Sequence, residues 1–465
     1  DGGIAAALIA GHRGAIPGEH ESALRAAGLA PVLAIAGLHM ALVGLGLFWA
    51  VRAFLALFPP IALVWPIKKW AAVAALGGAT FYLIISGAAV PATRAYVMLT
   101  SMLLAILFDR PALSMRSVAM AATIVLLLRP ESIVEPGFQM SFAAVVSLVA
   151  VAEWERSRPL KEGRFWPLPG VRHYMRGIAI TSFVGSVATA PFAAFHFDRA
   201  THYAVLGNLL AMPIMGFLTM PAAAVAVLTM PLGLDRIPLI VMGCGIEAML
   251  AVGRWVSGLP GAVSITAAWP VSAIVLMSLG GLWIAIWRLP WRWAGLVPMA
   301  AGIIAIFMVQ QPDLLIARDG LTVAIRGADG ALRLLRKPSD KFSASEWLKR
   351  DGDDRDYTAA IATPRDGVRC DPDGCVARSG EGMLIASSSR ALALAEDCAT
   401  ATIVVSAVPT RGFCKGPKLV IDRFDVARNG AYAVWFSKPL RVENVREMRG
   451  ARPWNVWPRR RAGAQ

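Results

Sequence analysis

A polytopic α-helical membrane domain followed by a soluble α+β domain is the fold class this sequence predicts. Three observations carry the reading. The 465 residues are 56% hydrophobic and 17% charged, with a mean hydropathy of +0.56, where soluble domains run near 25% charged. The charges thin out before about position 312 and crowd after it. The apolar residues of the first part fall into blocks of bilayer length, whereas the second part alternates like strands.

A membrane span needs roughly 20 mostly apolar residues. Ten segments are candidates, near 29–50, 70–86, 91–108, 114–128, 137–152, 178–195, 203–229, 238–256, 270–287 and 293–310. The organisation expected is a lead-in at 1–28, a membrane domain at 29–311, a soluble domain at 312–450 and a basic tail at 451–465. Asp1 is not a Met and no signal-like stretch precedes the first span, so the chain reads as a fragment or a processed product.

The formal charge of +15 does not by itself argue for nucleic acid, because basic residues mark cytoplasmic loops in membrane proteins. Loops after the odd-numbered spans hold Arg52, Lys68, Lys69, Arg110, Arg116, Arg156, Arg158, Lys161, Arg164, Arg172, Arg176, Arg236, Arg288 and Arg292, against Arg129 and Arg199 in the even-numbered loops. That asymmetry puts the odd loops in the cytoplasm and both termini outside.

Gly and Pro interrupt the apolar segments at Gly87 to Pro91, Pro191, Pro213 and Pro221. Broken helices at membrane depth survive where protein or a wet cavity satisfies the exposed backbone, which favours a transport path over a simple anchor. Polar residues gather at these places: His39 in span one, Ser86 and Arg94 about the first break, Gln139 and Ser141 in GFQMSF, and Asn208 in GNLLAMP. Each has a bland reading: a satisfied core histidine, a snorkelling arginine, interhelical hydrogen bonds. Together they suggest one polar cavity, lined by a cation with no matching buried acid, suited to an anionic or polar-backbone substrate.

Several of the same stretches resemble the ComEC family of competence proteins. IAGLHMALV at 35–43, SGAAVPATRAYVM at 86–98, RPESIVEPGFQMSFAAV at 129–145 and GNLLAMP at 207–213 follow its blocks in order, and GHRGAIP at 11–17 is similar to the stretch before its first span. Ala36 stands where the family usually has Ser. The resemblance implies a channel that passes single-stranded DNA across the bacterial inner membrane during natural transformation, working with a DNA receptor and a cytoplasmic helicase or motor. His39, Ser86, Arg94, Gln139, Ser141 and Asn208 are then candidates for the DNA path. A single strand needs cations for phosphates and flat faces for bases; Arg94 suits the first need, and Tyr82, Phe138, Phe142 and Phe195 the second, although aromatic residues in spans commonly just pack.

The family often carries an OB-like domain near its N-terminus, which this chain starts too late to include, and a C-terminal β-lactamase-like domain proposed as a nuclease. Such a nuclease needs a His and Asp metal cluster. The last histidine here is His202, so the tail is expected to be a degenerate, metal-free member of that class, with no cofactor and no catalytic residue. Strands are expected at 321–327, 331–337, 401–408 and 418–424. Cys370, Cys375, Cys398 and Cys414 lie in this tail. An oxidising compartment favours disulfides over a loose zinc site. Of three possible pairings, 370–375 with 398–414 is favoured, because Cys370 and Cys375 bracket a DPDG turn.

The competing classes are a transporter of another polar or anionic solute and an intramembrane hydrolase. The hydrolase would want H-E-x-x-H or G-x-S-x-G, and neither motif is present.

Overall fold

The computed structural model describes residues 2–5, 16–29, 37–88, 90–156, 169–363, 367–380, 382–410 and 412–450, with side chains from Met40 and Met175 onward in the helices that begin at Gly37 and Pro169. The chain divides into two compact units, Asp1–Ser264 with Pro270–Ile306, and Ile265–Trp269 with Phe307–Gln465.

The first unit is helical. Its elements are α1 (Gly18–Ala26), α2 (Gly37–Ala56), α3 (Pro59–Val64), α4 (Ile67–Ile85), α5 (Val90–Leu107), α6 (Met115–Leu128), α7 (Pro136–Arg156), α8 (Pro169–Phe197), α9 (Ala204–Ile214), α10 (Met220–Thr229), α11 (Arg236–Ser257), α12 (Val271–Ile286) and α13 (Leu296–Phe307). Each of the ten apolar segments coincides with part of this series. Among the described residues six helices are long and apolar enough to cross a membrane: Val90–Leu107, Pro136–Arg156, Met175–Phe197, Ala204–Leu232, Arg236–Ser257 and Pro290–Phe307. Large side chains such as Leu63, Phe81, Ile84 and Leu228 are exposed on the surface of this unit, the arrangement a lipid solvent rewards and water does not. The chain is a multi-pass membrane protein.

Packing inside the unit uses small residues. Ala71, Ala72, Ala75 and Ala79 form a stripe on α4 that lets it approach Met40 and Phe48 of α2 and Leu99 and Leu103 of α5. Leu24 of the amphipathic α1, with Ala27 and Leu29, is buried against Met215, Met242, Ile246 and Met249, so the lead-in helix belongs to the core of this unit.

The expected helix breaks are only partly present. Between α4 and α5 the chain does turn, through Gly87 (φ 70°) and Ala88 (φ 48°). Pro191, in contrast, lies inside a continuous α8. Pro213 lies inside α9, and Pro221 falls in the first turn of α10, with a π-helical turn at Met215–Thr219 between them. A π turn re-routes the hydrogen bonds that a proline leaves unmade. None of these three prolines breaks the chain out of helical structure.

The second unit is built on β1 (Leu314–Ile316), β2 (Val323–Arg326), β3 (Leu332–Leu334), α14 (Lys341–Arg350), α15 (Tyr357–Ala362), β4 (Val368–Cys370), β5 (Gly374–Arg378), β6 (Leu384–Ser388), α16 (Ala391–Thr400), β7 (Ile403–Ser406), β8 (Leu419–Ile421), α17 (Arg423–Asn429), β9 (Tyr432–Trp435), β10 (Arg441–Asn444) and α18 (Val445–Arg449). One sheet runs β10-β9-β1-β2-β3, antiparallel throughout. The other runs β8-β7-β6-β5-β4; β7 is parallel to both β6 and β8, and the rest is antiparallel.

Period-two alternation explains the layering. Val323 and Ile325 face inward and meet Ile385, Ile403 and Val405 of the other sheet, while Ala324 faces outward onto Ala344, Leu348 and Ala360 of α14 and α15. On the opposite outer face Ala386 and Val404 pack on Leu394 and Cys398 of α16. The result is a four-layer α-β-β-α sandwich. All four stretches read as strands from their alternation contain one, as β2, β3, β7 and β8.

Candidate functional site

The block RPESIVEPGFQMSF folds as a helix start with each residue type in use. Pro130–Val134 forms a 3-10 turn. Pro136 opens α7, where its missing N–H costs nothing and its fixed φ suits a first helical turn. The Glu135 carbonyl accepts the N–H groups of Phe138 (3.1 Å) and Gln139 (3.2 Å). Phe138 and Phe142, one helical turn apart, stack at 4.4 Å between centroids and are buried against Val97, Ala121 and Val125. They anchor α7 to α5 and α6 and are not free faces for a base, which corrects that expectation. Tyr82 likewise packs with the α2–α4–α5 core.

Arg94 reaches the same helix start from α5. It is 9% exposed, and its Nη1 lies 3.7 Å from Glu135 Oε2, whose side chain is 37% exposed. The acid paired with this cation is Glu135, and it is partly exposed, not buried. Gly137 makes the approach possible: a Cβ there would lie 2.6 Å from Arg94 Nη2. Arg94 Nε is buried with no hydrogen-bond partner.

Gln139 extends the cluster on its other side. Its Nε2 donates to the Ile133 carbonyl at 2.9 Å. Its Oε1 lies 2.7 Å from Nε2 of His196, near the end of α8, so the ring donates to the amide oxygen through that nitrogen. Phe195 packs edge-on against the His196 ring at 4.9 Å. Arg94, Glu135, Gln139 and His196 thus gather around residues 133–139: a cation, a carboxylate, an amide and an imidazole. A polar or anionic ligand could enter by exchanging with the partly exposed Glu135 carboxylate.

The other candidates stand elsewhere. Ser86 Oγ donates to the Leu83 carbonyl at 2.9 Å and caps the end of α4. Ser141 and Asn208 are half-buried on α7 and α9, without a hydrogen bond to the cluster. The first turn of α9 is committed to another contact: a Cβ on Gly207 would lie 2.5 Å from the Ala27 carbonyl oxygen. His39 lies in α2, and its side chain is outside the described residues. Of the four residues expected to converge, Arg94 and Gln139 lie together, joined by Glu135 and His196; Asn208 stands on α9, and the His39 side chain lies outside the described residues. Reading the sequence missed Glu135 and His196. Glu135 looked like an ordinary loop acid, and His196 drew no notice although FHF in an apolar run was the available signal.

In the second unit the sulfurs of Cys370 and Cys375, and of Cys398 and Cys414, are at disulfide distance, with Cα–Cα separations of 4.1 and 5.0 Å. Cys370 and Cys375 are direct partners across the β4–β5 hairpin. Asp371 accepts the N–H groups of Asp373 (2.9 Å) and Gly374 (2.7 Å) and so closes the turn between them.

Residues 8–291 match the model of a family described as competence protein. The chain belongs to this competence protein family. It is 27% identical to the ComE operon protein 3 of Bacillus subtilis (strain 168) over 231 residues, 50% of this chain and 27% of that protein. It is 28% identical to the uncharacterized protein YcaI of Escherichia coli (strain K12) over 232 residues, 49% of this chain and 29% of that protein. With the competence protein ComA of Neisseria gonorrhoeae it shares 31% identity over 165 residues, 35% of this chain and 22% of that protein. The matched stretch thus spans less than a third of the length of each of these relatives. No solved structure matches the chain significantly. Arg94, Glu135, Gln139 and His196 all fall inside the part matched by the family model.

Proposed function

We propose that the membrane unit is a channel passing single-stranded DNA across the inner membrane during natural transformation, with the Arg94–Glu135–Gln139–His196 cluster on its path. The observation that carries this reading is that a buried cation and its polar neighbours sit inside the competence-family region, at helix ends. Phosphates need a cation and a single strand needs polar, water-accessible walls. Glu135 would act as a resident counter-ion that a passing phosphate displaces, which avoids leaving Arg94 uncompensated between transits.

The finer topology belongs to the same proposal: ten crossings, odd-numbered loops in the cytoplasm, and both termini outside. On that path residues 86–89, 129–135 and 198–203 share the outer side, so the cluster lies at the outer mouth. The soluble unit is then extracytoplasmic, a metal-free relative of the β-lactamase-like class without catalytic activity, and its four cysteines are oxidised. A DNA receptor outside and a helicase or motor inside are the expected partners. The alternative is a transporter of another polar or anionic solute, for which the same cluster would serve.

Deletion of the gene in its host separates the two. Loss of transformation, with labelled DNA still accumulating outside the inner membrane, is the expected result. Unchanged transformation would remove the DNA reading and leave the solute alternative.

A further inference from the structure

Arg336, just beyond β3, has no counter-ion among the described residues. Its Nη1 bonds the Ser389 hydroxyl, its Nη2 lies 3.5 Å from Cys375 Sγ, and its Nε is buried with no hydrogen-bond partner. Among the described residues no carboxylate pairs with it. The nearby acids are engaged elsewhere: Asp371 by the turn amides of Asp373 and Gly374, and Asp373 by Arg390 at 3.3 Å. The two cysteines differ in exposure as residues, and Cys370 Sγ lies 3.1 Å from the Leu335 carbonyl oxygen. Cys370 is exposed, whereas Cys375 is 1% exposed. The other cysteine pair has a different setting, with Cys398 and Cys414 packed among Leu394, Val404 and Val420.

We propose that Cys370–Cys375 is a redox-active disulfide, opened by an external dithiol, with Arg336 holding the thiolate that leaves. This inference does not depend on the DNA reading. The reductant's thiolate attacks Sγ of Cys370, the more exposed residue of the pair. The Cys370–Cys375 bond breaks, and its electron pair leaves on Cys375 Sγ, which becomes an anion 3.5 Å from Arg336 Nη2. The second thiolate of the reductant then attacks its own sulfur in the mixed disulfide and releases Cys370 as a thiolate that takes up a proton. The dithiol ends as a disulfide and the protein gains two electrons. A guanidinium beside a thiolate stabilises it and makes the corresponding sulfur the better leaving group. Opening the bond also frees β4, an edge strand with β5 as its one sheet neighbour.

The test uses the full chain in detergent, equilibrated in dithiothreitol redox buffers and mapped by differential alkylation and mass spectrometry. Cys370–Cys375 should reduce at a less reducing poise than Cys398–Cys414, which serves as the internal reference. Arg336→Gln should shift the 370–375 equilibrium toward the disulfide by about tenfold, about 30 mV for a two-electron couple. Arg336→Lys should fall between the two. In Cys370→Ser, the rate of Cys375 alkylation by iodoacetamide should persist to lower pH than in Cys370→Ser with Arg336→Gln; this arm keeps the proposal testable if Arg336→Gln alone disturbs the hairpin. Equal midpoints for the two cysteine pairs, no response to Arg336→Gln in either readout, or free thiols at 370 and 375 before reduction would overturn the proposal.

Discussion

Nη1 of Arg94 lies 3.7 Å from Oε2 of Glu135, and the two residues come from helix starts 41 positions apart in the chain. Breaking a fully buried ion pair by removing one partner costs roughly 3–5 kcal/mol; the exposure of Glu135 brings the cost here below that. Arg94→Ala should abolish transformation, and Arg94→Lys should restore it only in part, because an ammonium lacks the planar fork. The double variant Arg94→Ala with Glu135→Gln should recover membrane levels by immunoblot, without recovering transformation. If the double variant transforms normally, the pair is structural and the DNA path lies elsewhere.

Gly137→Ala places a methyl 2.6 Å from Arg94 Nη2. Overpacking of this kind costs roughly 1–3 kcal/mol. Here it should also displace the guanidinium from Glu135, so transformation should fall more than protein level does. Gly185→Ala, with nothing within 4 Å of its added Cβ, is the control and should behave as wild type. Equal behaviour of the two variants would remove the close approach from the account.

The Gln139–His196 contact at 2.7 Å ties α7 to α8. Gln139→Leu loses this bond and the one to the Ile133 carbonyl at 2.9 Å, a cost of about 0.5–1.5 kcal/mol for each. Cross-linking of introduced cysteine pairs between α7 and α8 should become less specific in Gln139→Leu. Unchanged cross-linking would mean that packing alone sets this helix pair.

In the second unit Asp422 caps α17 and accepts from the Thr410 N–H at 3.1 Å and the Thr410 hydroxyl at 3.0 Å. Burial pushes its carboxyl up, but the amides of Thr410, Asp425 and Phe424 and the Thr410 hydroxyl outweigh it and hold it below the usual carboxylate value. A folded-state value below the unfolded one gives stability that is present above the unfolded pKa, about 3.9. That stability is lost as pH falls through the folded value. Asp422→Ala should lower hydrogen-exchange protection of residues 423–429 by about 1–3 kcal/mol at pH 7. The gap should narrow below about pH 4. A gap that does not change with pH would show that the carboxylate charge is irrelevant there.

Much of the fold was legible because its signals are local. Apolar length marked the helices, and period-two alternation marked β2, β3, β7 and β8. β1, β4, β5, β6, β9 and β10 were not marked, and length was not the difference, because β3 and β8 are as short as any of them. The prolines misled for a physical reason: a π turn, or a position in a first helical turn, absorbs the missing N–H without a break. The site was half legible. Arg94 and Gln139 stood out as polar residues in apolar runs, but their partners are fixed by tertiary packing. Nothing in the spacing of Glu135 or His196 along the chain announces that α5, α7 and α8 bring them together.

The central claim is that DNA passes the cluster around residues 133–139. Site-specific photo-cross-linking during transformation tests it most directly, with Arg94 kept and the photoreactive residue placed at 133, 139 or 196 and, as a reference, at Ile84, which is 71% exposed on the apolar surface of the membrane unit. The account predicts labelled single-stranded DNA cross-linked at the three cluster positions and not at 84. Cross-links absent from the cluster, or equally strong at 84, would contradict it.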